Sequence, residues 1–171
     1  MLKMSVENIR RIMKEGMNFE GNFPLWNYRF DSNCYAFVLG LDVNVNDICD
    51  NAYWPGNIAK HVIKTRINNY ASTAERVERQ VFNDFNALGI TYEVHEDENK
   101  YQYLQEIDHP SEYWDILFFR NPCNRDYHFA RVGSNGILYH KPGWQALPKI
   151  ADVEDIENSG YQFIKRYRVK L

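Results

Sequence analysis

The sequence has little cysteine, no long apolar run and no strong charge of either sign. Each shortage closes off a class of protein. Three cysteines, Cys34, Cys49 and Cys123, are too few and too uneven in number for a disulfide framework, so a reducing compartment is expected. They also lack metal-ligand spacing such as Cys-x-x-Cys, and neither a metal nor any other cofactor is expected. No apolar stretch approaches the length of a bilayer span. The opening residues, Met1 to Arg11, hold no apolar core of a secretory signal, which makes a cytoplasmic protein the expectation. Export by a route without a cleavable signal is the alternative. A net charge of −3 gives no electrostatic footprint for nucleic acid or an anionic membrane, and neither is expected as a partner.

What remains is an ordinary soluble composition in 171 residues, enough for one domain with a substantial core. There are no repeats, low-complexity tracts or linkers, so residues 1–171 are read as a single domain of unassigned oligomeric state. Twelve tyrosines and a high aromatic share favour a β-rich or groove-bearing protein.

The most informative stretch runs from Asp126 to Gly143. Tyr127 to Val132 reads as one strand, Ser134-Asn135-Gly136 as a turn, and Ile137 to His140 as the return strand. Pro142 and Gly143 stop it, because proline has no N–H for a ladder. Side-chain alternation sets His128 opposite Tyr127, Phe129 and Arg131, and lets His128 and His140 converge from paired strands.

Upstream, Ser5 caps a short helix built on Val6, Ile9, Ile12 and Met13 and closed by Gly16. Residues 17–33 read as an irregular, aromatic-rich loop. Asp31, Ser32 and Asn33 are all N-cap types ahead of an apolar run, which predicts a buried helix opening near Cys34. A thiol at a helix start feels the macrodipole, and the neighbouring N–H groups are natural oxyanion donors. A helix is expected over Asn57 to Tyr70. Another, opened by a capping box Ser72-Thr73-Ala74-Glu75 and closed by Gly89, buries Val77, Val81, Phe82, Phe85 and Leu88. Strands follow at Ile90–Val94 and Tyr113–Phe119, the second apolar enough to be buried on both faces. Residues 144–159 read as loop or short helix, and Tyr161 to Leu171 as a closing strand. The layout is α+β, a helical layer on an antiparallel sheet.

Three pieces, in order, carry a resemblance to the NlpC/P60 family of papain-like cysteine hydrolases. Asn33-Cys34-Tyr35-Ala36-Phe37-Val38 resembles the family's Asp-Cys-Ser-Gly-Phe-Val nucleophile helix. Trp114-Asp115-Ile116-Leu117-Phe118-Phe119 resembles its Gly-Asp-Leu-Val-Phe-Phe strand. The segment from His128 to His140 resembles its two-histidine hairpin, with the same spacing. The hairpin is also similar to a Tyr-His…His-Lys-Pro-Gly phrase of a group of bacterial proteins. The resemblance implies a papain-like fold with a helical insertion at 42–112. It also implies Cys34 as nucleophile, His128 as base and His140 as the residue that orients His128. The implied activity is thiol hydrolysis of an amide, in the family a peptide bond involving a D-amino acid of cell-wall peptides. The small residues beside the nucleophile are replaced here by Tyr35 and Ala36, and Cys34 and His128 lie farther apart than in the family. The Cys-before-His order argues against the circularly permuted acyltransferase and phospholipase relatives.

Plainer readings stand beside these. A lone cysteine opening a buried helix is most often a small core residue, and strand histidines are more often structural. Tyr35, Trp54 and Trp144, with Trp26, Tyr28 and Tyr53, can line a substrate groove or simply fill a core. Asp31 can cap a helix or meet a substrate amine. His61, His95 and His109 read as surface residues, and Asp115 as satisfying backbone groups or capping a turn. Two other functions fit the same residues: an effector-type deamidase or acyltransferase acting on a protein, and an inactive binding module on the same fold.

Overall fold

The computed structural model describes residues 5–17, 33–41, 54–62, 73–96, 113–123, 126–133, 136–143 and 146–171. Its elements in chain order are α1 (Val6–Met17), α2 (Cys34–Val38), α3 (Asn57–Val62), α4 (Ala74–Leu88), β1 (Thr91–His95), β2 (Tyr113–Arg120), β3 (Tyr127–Val132), β4 (Leu138–His140), β5 (Lys149–Ile150), α5 (Val153–Asn158) and β6 (Gln162–Lys170). The strands form one six-stranded sheet in the order β1-β6-β2-β3-β4-β5. Every neighbouring pair is antiparallel. The closing strand β6 is therefore interior, between the edge strand β1 and β2.

Alternation along the strands sorts the sheet into two faces. Trp114, Ile116, Phe118, Phe129, Tyr139, Tyr167 and Val169 pack on α1, α2 and α4 in the larger core. Leu117, Phe119, Ala130, Val132 and Leu138 pack on Val153 and Ile156 of α5 in the smaller one. β2 is buried on both faces, as its apolar run implies. The register of β2 with β6 shifts at Phe118/Phe119, where Ile164 is left over. That bulge brings Phe163 opposite Phe119 on the α5 face, their rings 5.7 Å apart.

Local chemistry accounts for the helix ends, with some corrections to the sequence reading. Helix α1 continues through Gly16 to Met17. Gly16 serves packing rather than termination: a Cβ there would collide with the Gly40 carbonyl, so α1 and the end of α2 touch backbone to backbone. Thr73, not Ser72, caps α4, its hydroxyl accepting from Arg76 N–H at 3.3 Å. Gly89 closes α4 in the left-handed region (φ 63°), as its position implies. Arg10 then reaches the last carbonyls of α4, at Leu88 and Gly89. The predicted helix over Asn57–Tyr70 is present from Asn57 to Val62, and its remainder lies outside the described residues. Residues 144–159 include an unexpected two-residue strand, β5, before α5. α4 buries Val77, Val81, Phe85 and Leu88 in the main core, and β1 joins the sheet. The described parts of 42–112 thus contribute to both the main core and the sheet. Among the described residues no helix is long and apolar enough to cross a membrane.

Candidate active site

Cys34 is the first residue of α2, and Asn33 is its cap, the side-chain oxygen accepting from Ala36 N–H at 3.0 Å. All five residues of α2 are buried, because the helix lies on β3 and reaches β4. Tyr35 meets the Phe129 ring at 5.2 Å. Arg131, buried on the same face, donates to Phe37 O at 3.4 Å and to Gly16 O at 3.2 Å, and stacks over the Phe37 ring. One buried arginine thus ties α1 and α2 to β3.

The histidines sit on the other face of the sheet, His128 on β3 and His140 on β4. His128 pairs across the sheet with Phe119, and His140 with Ala130, so both imidazoles project toward the α5 face. His128 Nε2 and His140 Nδ1 are hydrogen-bonded at 2.9 Å with the rings nearly perpendicular. Both residues are buried. His140 Nε2, the far nitrogen, is buried and has no hydrogen-bond partner among the described residues. The Tyr161 ring packs 5.3 Å from His128, and its hydroxyl donates to Asp126 Oδ2 at 2.6 Å.

The thiol lies on the α2 side of β3, and the imidazoles lie on its α5 side. β4 pairs with β3 only over Ala130–Val132, because Pro142 cannot extend its ladder. The first residues of β3 are therefore unpaired on that side, and the Phe129 N–H faces the Cys34 sulfur. Cys34 lies beside the strand that carries His128, one residue along from it. Among the described residues no hydrogen bond joins Cys34 to His128.

Electrostatics set the resting protonation. Burial pushes the Cys34 thiol up to about 12; the Phe129 N–H opposes this and the Asp126 charge adds to it. Burial, then the neighbouring His140, pushes His128 down to about 3. Burial and Lys149 push His140 down to about 4, with Asp155 pulling the other way. These shifts favour a neutral thiol and neutral imidazoles at neutral pH over a thiolate–imidazolium pair. The macrodipole of a five-residue helix does not overcome this burial.

The candidate substrate residues scatter. Tyr35 is fully buried, its hydroxyl donating to Asp84 at 2.9 Å, so it is a core residue and lines no groove. Trp54 is 44% exposed. Trp144, Asp31, Cys49, Tyr53, Trp26, Tyr28 and His109 lie outside the described residues. Cys123 is exposed, on the turn after β2. Asp115 is fully buried and holds Arg168 at 3.2 Å, with Arg166 at 3.9 Å. His95, half-buried, faces Glu93 at 3.4 Å. Sequence reasoning missed Asp84, Asp126 and Tyr161. Asp84 stands four residues before Leu88 on the apolar stripe of α4, and a carboxylate in that stripe is a legible signal.

No family model matches the chain, and neither does any curated protein sequence.

Proposed function

We propose that the protein is a thiol-dependent amide hydrolase acting on a peptide, with Cys34 as nucleophile, His128 as base and His140 orienting it. The observation that carries this reading is the buried His128 Nε2–His140 Nδ1 hydrogen bond, made on the strand whose open edge holds Cys34. That bond leaves His128 Nδ1 as the nitrogen available for chemistry. In the productive tautomer His128 Nε2–H donates to His140 Nδ1, so the Nδ1 lone pair is free to take a proton. The thiol gives its proton to His128 as sulfur attacks the carbonyl carbon. The amine leaves with that proton, and water, deprotonated by the same imidazole, hydrolyses the thioester. With the thiol neutral at rest, proton removal accompanies attack; no ion pair is stored beforehand. Cell-wall-type peptides are the first substrates to try, on the strength of the hairpin and helix motifs.

Two observations favour a second reading, an inactive binding module on the same scaffold. The thiol is held protonated, and the imidazoles face away from α2. Acylation separates the two. The chain with Cys49→Ser and Cys123→Ser, which leaves Cys34 as its one thiol, is treated with p-nitrophenyl acetate and weighed intact. A hydrolase gains one acetyl group on Cys34, slowly lost in water, and does so far more slowly after His128→Ala. A chain whose Cys34 stays unacylated, or acylates at the same rate without His128, is a binding module.

A further inference from the structure

Asp84 is the most unusual side chain outside the candidate triad. It is a carboxylate on α4 with no exposed surface. Its Oδ1 accepts from Ala59 N–H at 2.7 Å. Its Oδ2 accepts twice, from Gly56 N–H at 2.6 Å and from the Tyr35 hydroxyl at 2.9 Å. One carboxylate thus joins three elements: the nucleophile helix through Tyr35, the start of α3 through Gly56 and Ala59, and its own helix α4. Every group bonded to it among the described residues is a donor, which is the environment of an ionised acceptor.

We infer that Asp84 is a positioning residue for Cys34: it fixes Tyr35, the next residue in the chain, with the same oxygen that fixes the Trp54–Gly56 turn, and so couples that turn to the candidate nucleophile. The catalytic meaning of this coupling rests on the reading of Cys34 as nucleophile; the coupling itself does not. Trp54 is the exposed end of the device, and its carbonyl accepts the Asn57 N–H that opens α3. A ligand that moves Trp54 draws Gly56 from the shared oxygen, and Tyr35 responds. Protonation acts on the same point. A neutral carboxyl needs an acceptor for its proton, and the Tyr35 oxygen is the one bonded group able to become one. The hydroxyl must then reverse its bond or leave.

The groups around the device keep its titration legible. Burial raises Asp84 to about 7, against the opposing N–H groups of Ala59, Gly56 and Ile58 and the Tyr35 hydroxyl. Tyr127 and Tyr167 are the other titratable groups that act on Tyr35. Among the described residues no lysine, arginine or histidine is hydrogen-bonded to Asp84. Cys34 ionises far above neutrality, and His128 and His140 far below it.

The test is an NMR titration from about pH 5 to 9 of the full chain, labelled at backbone nitrogen and at cysteine carbon. The amide shifts of Gly56 and Ala59 and the Cβ shift of Cys34 move together, with one inflection near 7. Asp84→Asn abolishes all three inflections. Tyr35→Phe, which keeps the carboxylate and its two backbone donors, preserves the inflections at Gly56 and Ala59 and removes the one at Cys34. A Cys34 inflection that survives Tyr35→Phe overturns the inference. So do wild-type amides that titrate while Cys34 does not, and amides that do not titrate at all. None of these readouts needs turnover, so a chain that fails the acylation test yet shows the coupling loses only its catalytic reading.

Discussion

Acid should unfold this protein through its two strand histidines, and the effect can be isolated at His128. An unfolded histidine titrates near 6.5, whereas the native His128 is held neutral down to about 3. Below pH 6.5 the unfolded chain therefore binds a proton that the native chain refuses, and stability falls as pH falls. Each unit of that window is about 1.4 kcal/mol per proton, so about 2 kcal/mol is lost at His128 between pH 6.5 and about 5. His140, pushed down to about 4, adds a similar loss. Asp84 acts oppositely: raised to about 7, it takes up a proton in the native chain first and stabilises as pH drops toward its ordinary value. A wild-type curve alone would mix these slopes. The difference between wild type and His128→Gln does not, because Asp84 is common to both. The variant is less stable at neutral pH, having lost the imidazole that bonds His140 at 2.9 Å. Its deficit should shrink by about 2 kcal/mol between pH 6.5 and about 5, measured by urea unfolding at each pH. Parallel curves over that range would refute the argument, and with it the claim that the native fold excludes a charged His128.

Iodoacetamide at neutral pH should label exposed Cys123 at the rate of an ordinary thiol and Cys34 at least tenfold more slowly, since burial holds the Cys34 proton; peptide mapping reads both, and equal rates would refute the assignment. Tyr35→Phe leaves Asp84 a donor short and should cost about 1–3 kcal/mol in chemical unfolding. Gly16→Ala drives a methyl into the Gly40 carbonyl and should destabilise by about 1–3 kcal/mol or more; an unchanged unfolding midpoint would show that α1 is free to shift. Thr73→Ala removes the cap of α4 and should lower stability by about 1 kcal/mol, with Thr73→Ser restoring most of it.

Local signals in the sequence were sufficient for most elements. The Cys34 helix, the long α4 with its closing glycine, the doubly buried β2 and the β3 strand are where residue types, caps and periodicity place them. Those features depend on neighbours within a turn or two. The alternation of β3 likewise fixes that His128 opposes Phe129 and Arg131, whatever packs on either face. Gly16 and Ser72 misled for a related reason: a glycine near a helix end and a serine before Ala-Glu are common local signals, and tertiary packing used the one for close approach and shifted the cap by one residue.

The site was only half legible. Sequence spacing brought His128 and His140 together, because paired antiparallel strands oblige it. Which face α2 would occupy is a long-range choice, made by the packing of Phe129, Arg131 and Tyr35, and it sets the thiol at the edge of a strand whose histidine points elsewhere. Protonation was equally out of reach. A helix start predicts a lowered thiol pKa, but burial, known only once the chain has folded, reverses the sign. The residue types, their order and the strand alternation belong to the sequence alone. The meeting of Asp84 with Tyr35, 49 positions apart, the interior place of β6 and the raised pKa of the Cys34 thiol were decided by tertiary structure, since each depends on which surfaces leave water together.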